Sequence, residues 1–200
     1  RRPPRSTQSR SSAASDVYKR QVKSYRAPGF SLITETLWVY EELALQGIEY
    51  DCSIFLGNHS HGGRIKEFGV KPSIINVNGA VIKEFPINSI NLISKEVAFS
   101  GGGYFRFLPY PLIKLLMQRS EYIMTYFHPR DFDSLQPMIP GLSSFRKFKS
   151  YYGLKGAFSK AEKFVDDFDF VSLCHADRIV DWNRADSFEL VNGKLNLIVK

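Results

Sequence analysis

The sequence predicts an α/β fold, and two stretches carry most of that prediction. Residues 22–55 read as strand, loop, helix and strand, which is the order of a βαβ unit in a parallel sheet. Residues 122–129 are rich in aromatic and β-branched side chains, which favours a buried strand that ends at its proline. A small C-terminal β-hairpin is also predicted, because apolar alternation over residues 188–199 flanks Asn192-Gly193.

Composition describes a globular chain without a membrane span. The 200 residues are 44% hydrophobic, enough for one domain with a core. No run approaches the roughly 20 apolar residues that a membrane span needs. Cys52 and Cys174 are too few for a disulfide framework, and we interpret them as small buried hydrophobes in a reducing compartment. Since no signal peptide is visible either, we expect a cytoplasmic location.

The net charge of +7 is concentrated at one end. Residues 1–21 hold six basic residues and one acid, whereas the rest holds 21 basic and 19 acidic residues. The balance therefore does not indicate a nucleic-acid-binding domain. Residues 1–21 are expected to be disordered, and residues 11–21 resemble a translated sequencing adapter. We therefore expect the natural sequence to start near Val22 as a truncated fragment; a basic interaction arm is the alternative.

The first half of the chain gives a βαβ unit followed by a loop. Thr34 is a plausible N-cap for a helix that ends before Gly47, and residues 48–55 form the next strand. Residues 56–80 are predicted as loop. Within this loop, His59 and His61 could share a metal if the chain is extended, although a solvated loop is the alternative. Residues 83–87 predict a short edge strand, because they contain a proline.

The second half contains helices and an unusual glycine run. Residues 101–103 are three glycines, which either let a ligand approach the backbone or form a turn before a helix over residues 111–119. Residues 145–149 alternate aromatic and basic side chains, which indicates half-buried packing or, alternatively, nucleic-acid stacking. Residues 159–162 have the capping-box pattern and predict a helix through Asp167.

Three side chains are candidates for one catalytic site. The carboxyl ends of parallel strands meet at one edge of a sheet, so Arg26, Asp51 and His128 could converge there. An acid beside a histidine orients the ring and raises its pKa, and an arginine holds a carboxylate in register. The combination predicts a hydrolytic site in which His128 acts as a general acid; a structural histidine is the alternative.

Four segments resemble the later motifs of one known family. They read Tyr-Arg-Ala-Pro-Gly-Phe-Ser at residues 25–31, Tyr-Asp-Cys-Ser-Ile-Phe at 50–55, Gly-Gly-Gly-Tyr-Phe-Arg-Phe-Leu-Pro at 101–109, and Tyr-Phe-His-Pro-Arg-Asp-Phe-Asp at 126–133. In this order they resemble the polysaccharide deacetylases, the NodB-homology carbohydrate esterases. The similarity is greatest to the bacterial branch associated with exopolysaccharide biosynthesis, and it covers residues 22–173.

The resemblance implies a fold, a reaction and roles for individual residues. The fold would be the C-terminal portion of a distorted (β/α) barrel, and the reaction would be metal-dependent removal of N-acetyl groups from hexosamine units of a polysaccharide. His128 would protonate the leaving amine, Asp51 would pair with it, and Arg26 would brace the catalytic base. The substrate-binding residues implied are Phe30, Tyr104, Arg106, Tyr126 and Phe127.

The chain departs from the family pattern before Arg26. Nothing upstream matches the family motifs that supply an aspartate base, an aspartate ligand and two histidine ligands to a divalent metal, which would be zinc. We therefore expect the metal ligands to be absent from this chain and the chain to be inactive, with a catalytically inactive glycan-binding module as the alternative. The expected partner is an N-acetylated polysaccharide or oligosaccharide, with no nucleic acid. The expected division is residues 1–21, a partial deacetylase domain over 22–175, and a C-terminal extension over 176–200.

Overall fold

A computed structural model describes residues 21–56, 65, 67–92 and 95–198. The predictions for residues 1–20 and for His59 and His61 lie outside these residues. In the part of the chain that the structure describes, no helix is both long enough and apolar enough to span a bilayer.

The fold is a mixed α/β arrangement with one main sheet. The strands are β1 (Ser24–Tyr25), β2 (Tyr50–Asp51), β3 (Ser73–Val77), β4 (Ala80–Glu84), β5 (Ile90–Leu92), β6 (Lys95–Val97), β7 (Asp186–Val191) and β8 (Lys194–Ile198). The helices are α1 (Val39–Leu45), α2 (Gly102–Phe107), α3 (Tyr110–Gln118), α4 (Ser144–Tyr151), α5 (Leu154–Asp167) and α6 (Leu173–Ile179).

The main sheet has six strands in the order β1-β2-β4-β3-β7-β8, and β5 pairs with β6 separately. The pairs β1–β2, β2–β4 and β3–β7 are parallel, whereas β3–β4 and β7–β8 are antiparallel hairpins. The βαβ unit and the C-terminal hairpin are therefore confirmed. Within the described residues the sheet is open, with β1 and β8 at its edges, so the expected barrel is not seen there.

Helices cover both faces of the main sheet. On one face, α1 packs against Ile75 and Ile82 in the largest hydrophobic cluster. On the other face, Tyr50 and Phe85 pack against residues of α6. Successive strand residues point to opposite faces, so neighbouring positions of β2 and β4 serve different layers.

The predicted loop over residues 56–80 was wrong for residues 73–77, and the strand predicted over residues 83–87 was wrong in its bounds and in its edge position. Residues 73–84 form the β3–β4 hairpin, which turns on Asn78 and Gly79 with φ angles of 50° and 81°. This is the Asn-Gly turn that suits a two-residue hairpin. Strand β4 lies inside the sheet between β2 and β3, and Pro86 follows the strand, where it removes no ladder bond.

The predicted buried strand over residues 122–128 was also wrong. The segment makes one isolated bridge, between Gly101 and Tyr126, and is otherwise without a ladder partner among the described residues. Its backbone bonds instead to side chains, since Met124 donates its N–H to Asn88 Oδ1 at 3.1 Å and Ser100 Oγ donates to the Met124 carbonyl at 2.9 Å. These bonds satisfy the backbone without a sheet.

The helices match the predictions in part. Helix α3 agrees with the prediction for residues 111–119. The helix expected from Thr34 starts as a 3-10 turn and becomes regular only in α1, although Gly47 follows it with φ 72° as expected. The capping box at residues 159–162 was wrong, because α5 already starts after Gly153, which has φ 74°.

A second core lies among the helices. Phe105 of α2, Ile113 of α3 and Phe164 of α5 are buried together, and Phe127 packs against them. Of the two cysteines, Cys52 is buried as expected, whereas Cys174 is exposed.

Candidate functional site

A tight turn after β1 carries Arg26 and Phe30. The Ala27 N–H donates to Ser53 Oγ at 2.7 Å, which fixes the turn to the segment after β2. Gly29 and Phe30 both have left-handed backbone conformations, with φ angles of 63° and 53°. This conformation costs a non-glycine residue free energy, and such strain concentrates at functional sites.

The turn places an arginine on a group of aromatic rings. The Phe30 ring lies 5.5 Å from the Phe55 ring and 5.3 Å from the Tyr126 ring between centroids. Arg26 is exposed, and its Cζ lies 5.8 Å from the Phe30 centroid. We call these four residues the arginine–aromatic surface. A cation beside half-buried ring faces can hydrogen-bond to hydroxyl or carbonyl groups of a ligand while the rings contact its apolar face.

The glycine run contacts Tyr126 closely. A Cβ added to Gly101 would lie 2.0 Å from the Tyr126 carbonyl oxygen, and one added to Gly102 would lie 2.8 Å from the ring. The glycines therefore allow a close approach, but the neighbour is Tyr126 of the same protein, with its backbone carbonyl at Gly101 and its ring at Gly102. Burial raises the pKa of Tyr126 to about 12. Tyr104, another predicted substrate contact, is 39% exposed on α2.

Asp51 lies in the core, within a polar network of β2 and β4. It is fully buried, and its Oδ1 accepts from Ser53 Oγ at 2.6 Å. Glu84 is its register partner on β4 and is also fully buried. Glu84 Oε2 accepts from Tyr40 OH at 3.1 Å, and Oε1 accepts from the Ile54 N–H at 3.2 Å.

The two buried carboxyls disfavour each other's ionised forms. Burial and the neighbouring Asp51 raise the pKa of Glu84 well above its usual range, and burial also raises the pKa of Asp51. Asp51 Oδ2 is buried without a hydrogen-bond donor among the described residues. The network thus holds Ser53, and through Ser53 it holds the turn that carries Arg26.

The raised pKa of Glu84 makes the free energy of unfolding fall with rising pH. The pKa of Glu84 is higher in the folded protein than in the unfolded chain. The contribution of Glu84 to the free energy of unfolding is therefore complete below about pH 4.3 and is lost as the pH rises through the folded pKa. We expect Glu84→Gln to remove up to about 1.4 kcal/mol per pH unit of this loss. The check is the free energy of unfolding in urea at pH 5, 7 and 9. Glu121→Gln, at an exposed acid paired with Lys71, is the control and should leave the slope unchanged.

His128 lies at the start of a short 3-10 turn, Pro129–Asp131. It is exposed, and its backbone N–H donates to Asp131 Oδ2 at 2.9 Å. The Asp131 N–H returns a bond to the His128 carbonyl at 2.8 Å. These bonds fix the backbone and leave the imidazole at the protein surface.

Arg106 is a buried clamp, and this does not favour the direct substrate contact expected for it. Its guanidinium donates to the carbonyls of Lys149, Ser150 and Tyr152 at 2.9–3.0 Å. Its Nε lies 3.2 Å from Asp131 Oδ1, and both side chains are buried. Arg106 therefore joins the His128 turn to the last turn of α4.

Phe127 is half-buried and likewise packs against the core. Its ring lies 4.9 Å from Phe105 and 5.3 Å from Phe132 between centroids. Packing of this kind does not favour the substrate contact that was expected for Phe127.

The structure brings some of the predicted residues together and separates others. Arg26, Phe30 and Tyr126 meet at one surface. Asp51 and His128 have different partners, since Asp51 bonds within the core and His128 bonds to the Asp131 turn. The expected pairing of these two residues is not supported by their contacts.

Sequence reasoning did not identify four residues that build the site: Ser53, Phe55, Glu84 and Asp131. Glu84 carried a signal, because an acid in the apolar stretch of residues 81–87 needs a partner when buried. Asp131 carried a weaker signal, as an acid three residues after the candidate histidine.

Among the described residues, no group of three or more His, Cys, Asp or Glu side chains is arranged to hold a metal ion. Asp51 and Glu84 are two adjacent carboxyls, and both are fully buried, so they do not make an open metal centre.

Comparison with known proteins gives one match. A family described as "Domain of unknown function (DUF3473)" matches residues 52–177. This stretch includes Phe55, Arg106, Tyr126 and His128, whereas Arg26 and Phe30 precede it. No curated protein and no solved structure matches the chain.

Proposed function

The chain belongs to the DUF3473 family, and from this premise we propose that it serves the removal of N-acetyl groups from hexosamine units of a bacterial polysaccharide. The DUF3473 domain is commonly associated with polysaccharide deacetylase proteins. In this proposal the arginine–aromatic surface contacts the glycan and His128 acts as a general acid. A distorted (β/α) barrel as the parent fold is part of the same proposal.

The observation that carries the proposal is the arginine–aromatic surface itself. Arg26 is exposed beside Phe30, whose ring contacts those of Phe55 and Tyr126. Hexosamines present an apolar ring face together with hydroxyl and acetamido groups. Half-buried rings match the apolar face, and a guanidinium can donate to the acetamido carbonyl or to a hydroxyl.

His128 is suited to proton transfer at this site by its exposure and by its rigid backbone. A protonated imidazole can give a proton to the amine that leaves when the amide bond breaks. Asp131 holds the backbone of His128, and Arg106 holds Asp131. General acid catalysis of this kind contributes roughly 10²–10⁴-fold to a rate.

The proposed reaction in the parent protein uses a divalent metal, expected to be zinc, which activates water when bound. The described residues do not fit this group, because they offer no set of three ligands. No step of the proposal for this chain therefore runs through a metal. We expect the 200-residue chain to bind the glycan without releasing acetate.

The test is isothermal titration of the chain with an N-acetylated chito-oligosaccharide. Arg26→Ala should weaken binding at least about tenfold, because a charged hydrogen-bond donor is lost. Arg119→Ala, at an exposed arginine after α3, should leave the affinity unchanged. Circular dichroism checks that Arg26→Ala folds, since Arg26 Nε also donates to the Cys52 carbonyl at 3.2 Å. Equal affinity of Arg26→Ala and the unmodified chain would contradict the proposal.

A catalytically inactive glycan-binding module is the second candidate. It is favoured by the burial of Asp51, which accepts a hydrogen bond from Ser53 and lies beside Glu84 in the core. A deacetylase site should prefer the N-acetylated oligosaccharide over its free-amine counterpart by at least about tenfold, which is about 1.4 kcal/mol. A module that contacts only sugar faces should bind both alike. An aspartate motif and a His-x-x-x-His motif upstream in the parent gene would favour the enzyme.

A further inference from the structure

Helix α4 (Ser144–Tyr151) does not pack into a hydrophobic core. None of its residues is buried. It is held at its last turn by Arg106, which donates to the carbonyls of Lys149, Ser150 and Tyr152. Isolated helices of this length are marginal in water, and most helices are stabilised by a packed apolar face. The apolar face of α4 is instead presented outward.

The exposed side of α4 combines aromatic and basic side chains. Phe145, Phe148 and Tyr152 recur at helical spacing and are all exposed. The Phe148 ring lies 4.7 Å from that of Tyr152 and 6.0 Å from that of Phe107, which is exposed on α2. Lys149 Nζ lies 5.7 Å from the Phe145 centroid. These rings form a continuous patch rather than scattered exposed residues.

Aliphatic side chains extend this patch along the loop of residues 134–143. Leu135 is 91% exposed, and Met138 and Ile139 are also exposed. Tyr151 joins this loop to α4, because its hydroxyl donates to the Pro137 carbonyl at 3.1 Å and accepts from the Ile139 N–H at 2.8 Å. We call α4 together with this loop the basic aromatic face. Contiguous exposed apolar patches on a protein surface mark interaction sites.

The basic aromatic face also lies in a positively charged segment of the chain. Residues 134–161 hold five basic residues and no acid, whereas the other residues from 22 onward hold 16 basic and 19 acidic. Lys160 is used internally, because its Nζ donates to three carbonyls at the end of α2. Four exposed bases remain: Arg146, Lys147, Lys149 and Lys155. This positive charge favours an anionic partner.

We propose that the basic aromatic face docks on a membrane surface with anionic headgroups. Phenylalanine and long aliphatic side chains insert at the boundary of headgroups and acyl chains, while lysine and arginine pair with anionic lipids. The exposed Leu135, Met138 and Ile139 favour a lipid surface over an acidic polysaccharide, because sugars stack on aromatic rings and gain little from aliphatic side chains. The face shares no residue with the arginine–aromatic surface, so this proposal does not depend on the function proposed above.

Sedimentation with vesicles tests this proposal. The chain is mixed with vesicles of 70% phosphatidylcholine and 30% phosphatidylglycerol, and in parallel with pure phosphatidylcholine. We expect the unmodified chain to bind the anionic vesicles. Lys147→Glu combined with Lys149→Glu should lower the affinity for these vesicles at least about 30-fold. Phe145→Ser combined with Phe148→Ser should weaken binding at least about tenfold. Lys71→Glu combined with Lys194→Glu changes the net charge equally outside the face and should retain most of the affinity.

Three results would overturn the proposal. The first is equal binding of the unmodified chain and the α4 variants, which is also the result expected if residues 1–21 bind the lipid. Absence of binding by all of these chains counts as the same outcome. The second is α4-dependent binding to polygalacturonate with none to vesicles, which would assign the face to an acidic glycan. The third is self-association, measured by analytical ultracentrifugation, that the phenylalanine variant abolishes while vesicle binding is absent.

Discussion

Replacing Arg106 with alanine is expected to destabilise the protein by about 3–5 kcal/mol. The substitution removes the partner of Asp131, and both side chains are buried. It also removes the donors to three carbonyls at the end of α4. A buried carboxylate without a counter-charge costs far more free energy than a surface pair contributes. Urea unfolding followed by tryptophan fluorescence measures the effect.

Matched variants separate the clamp from a general effect of losing an arginine. Arg178→Ala, at an exposed position of α6, should change the free energy of unfolding by less than about 0.5 kcal/mol. Arg106→Lys should recover only part of the loss, because an ammonium cannot reproduce the planar fork of donors. A loss below about 1 kcal/mol for Arg106→Ala would show that Arg106 does not clamp the His128 turn.

Gly101→Ala is the second large expected effect, with a loss of at least about 3 kcal/mol. The added Cβ would lie 2.0 Å from the Tyr126 carbonyl oxygen and 2.9 Å from its carbonyl carbon. These are backbone atoms, which cannot rotate away as a flexible side chain can. The backbone of Gly101 is extended, so the cost is steric and not conformational. The same urea experiment measures it, together with the near-ultraviolet circular dichroism of the tyrosines.

Gly156→Ala is the control for this glycine. A Cβ at Gly156 meets no atom within 4 Å, and the residue lies inside α5. Alanine there should stabilise the protein by about 0.5–1 kcal/mol, because it favours the helix more than glycine does. Gly101→Ala with stability equal to that of the unmodified chain would mean that the bridge to Tyr126 is not a fixed contact.

Local signals predicted the parts of the fold that depend on neighbouring residues. The βαβ unit and the hairpin at Asn192-Gly193 follow from apolar period and turn chemistry, and both are confirmed. The β3–β4 hairpin has the same Asn-Gly signal at residues 78–79 and strands as long as β8, but residues 56–80 were interpreted as loop. Residues 122–128 have strand composition, yet Asn88 and Ser100 satisfy their backbone, and these partners are 24 to 36 positions away.

The site was predictable where the interacting residues lie in one short segment. Arg26 and Phe30 occur in one short motif, and the structure joins them to Tyr126. The environment of Asp51 was not predictable in the same way, because Glu84 becomes its neighbour only through the register of β2 and β4. The burial of Arg106 was not predictable for the same reason, since it depends on Asp131 and on the end of α4, and the sequence indicated a substrate contact instead.

The most direct test of the proposed function is a ¹H–¹⁵N correlation titration of the chain with an N-acetylated chito-oligosaccharide. We expect the amide shifts to change most at Gly29, Phe30, Phe55 and Tyr126, with smaller changes at His128. We expect no change at Phe148, which lies on the basic aromatic face. Changes centred on α4, or none at millimolar oligosaccharide, would contradict a glycan site at the arginine–aromatic surface.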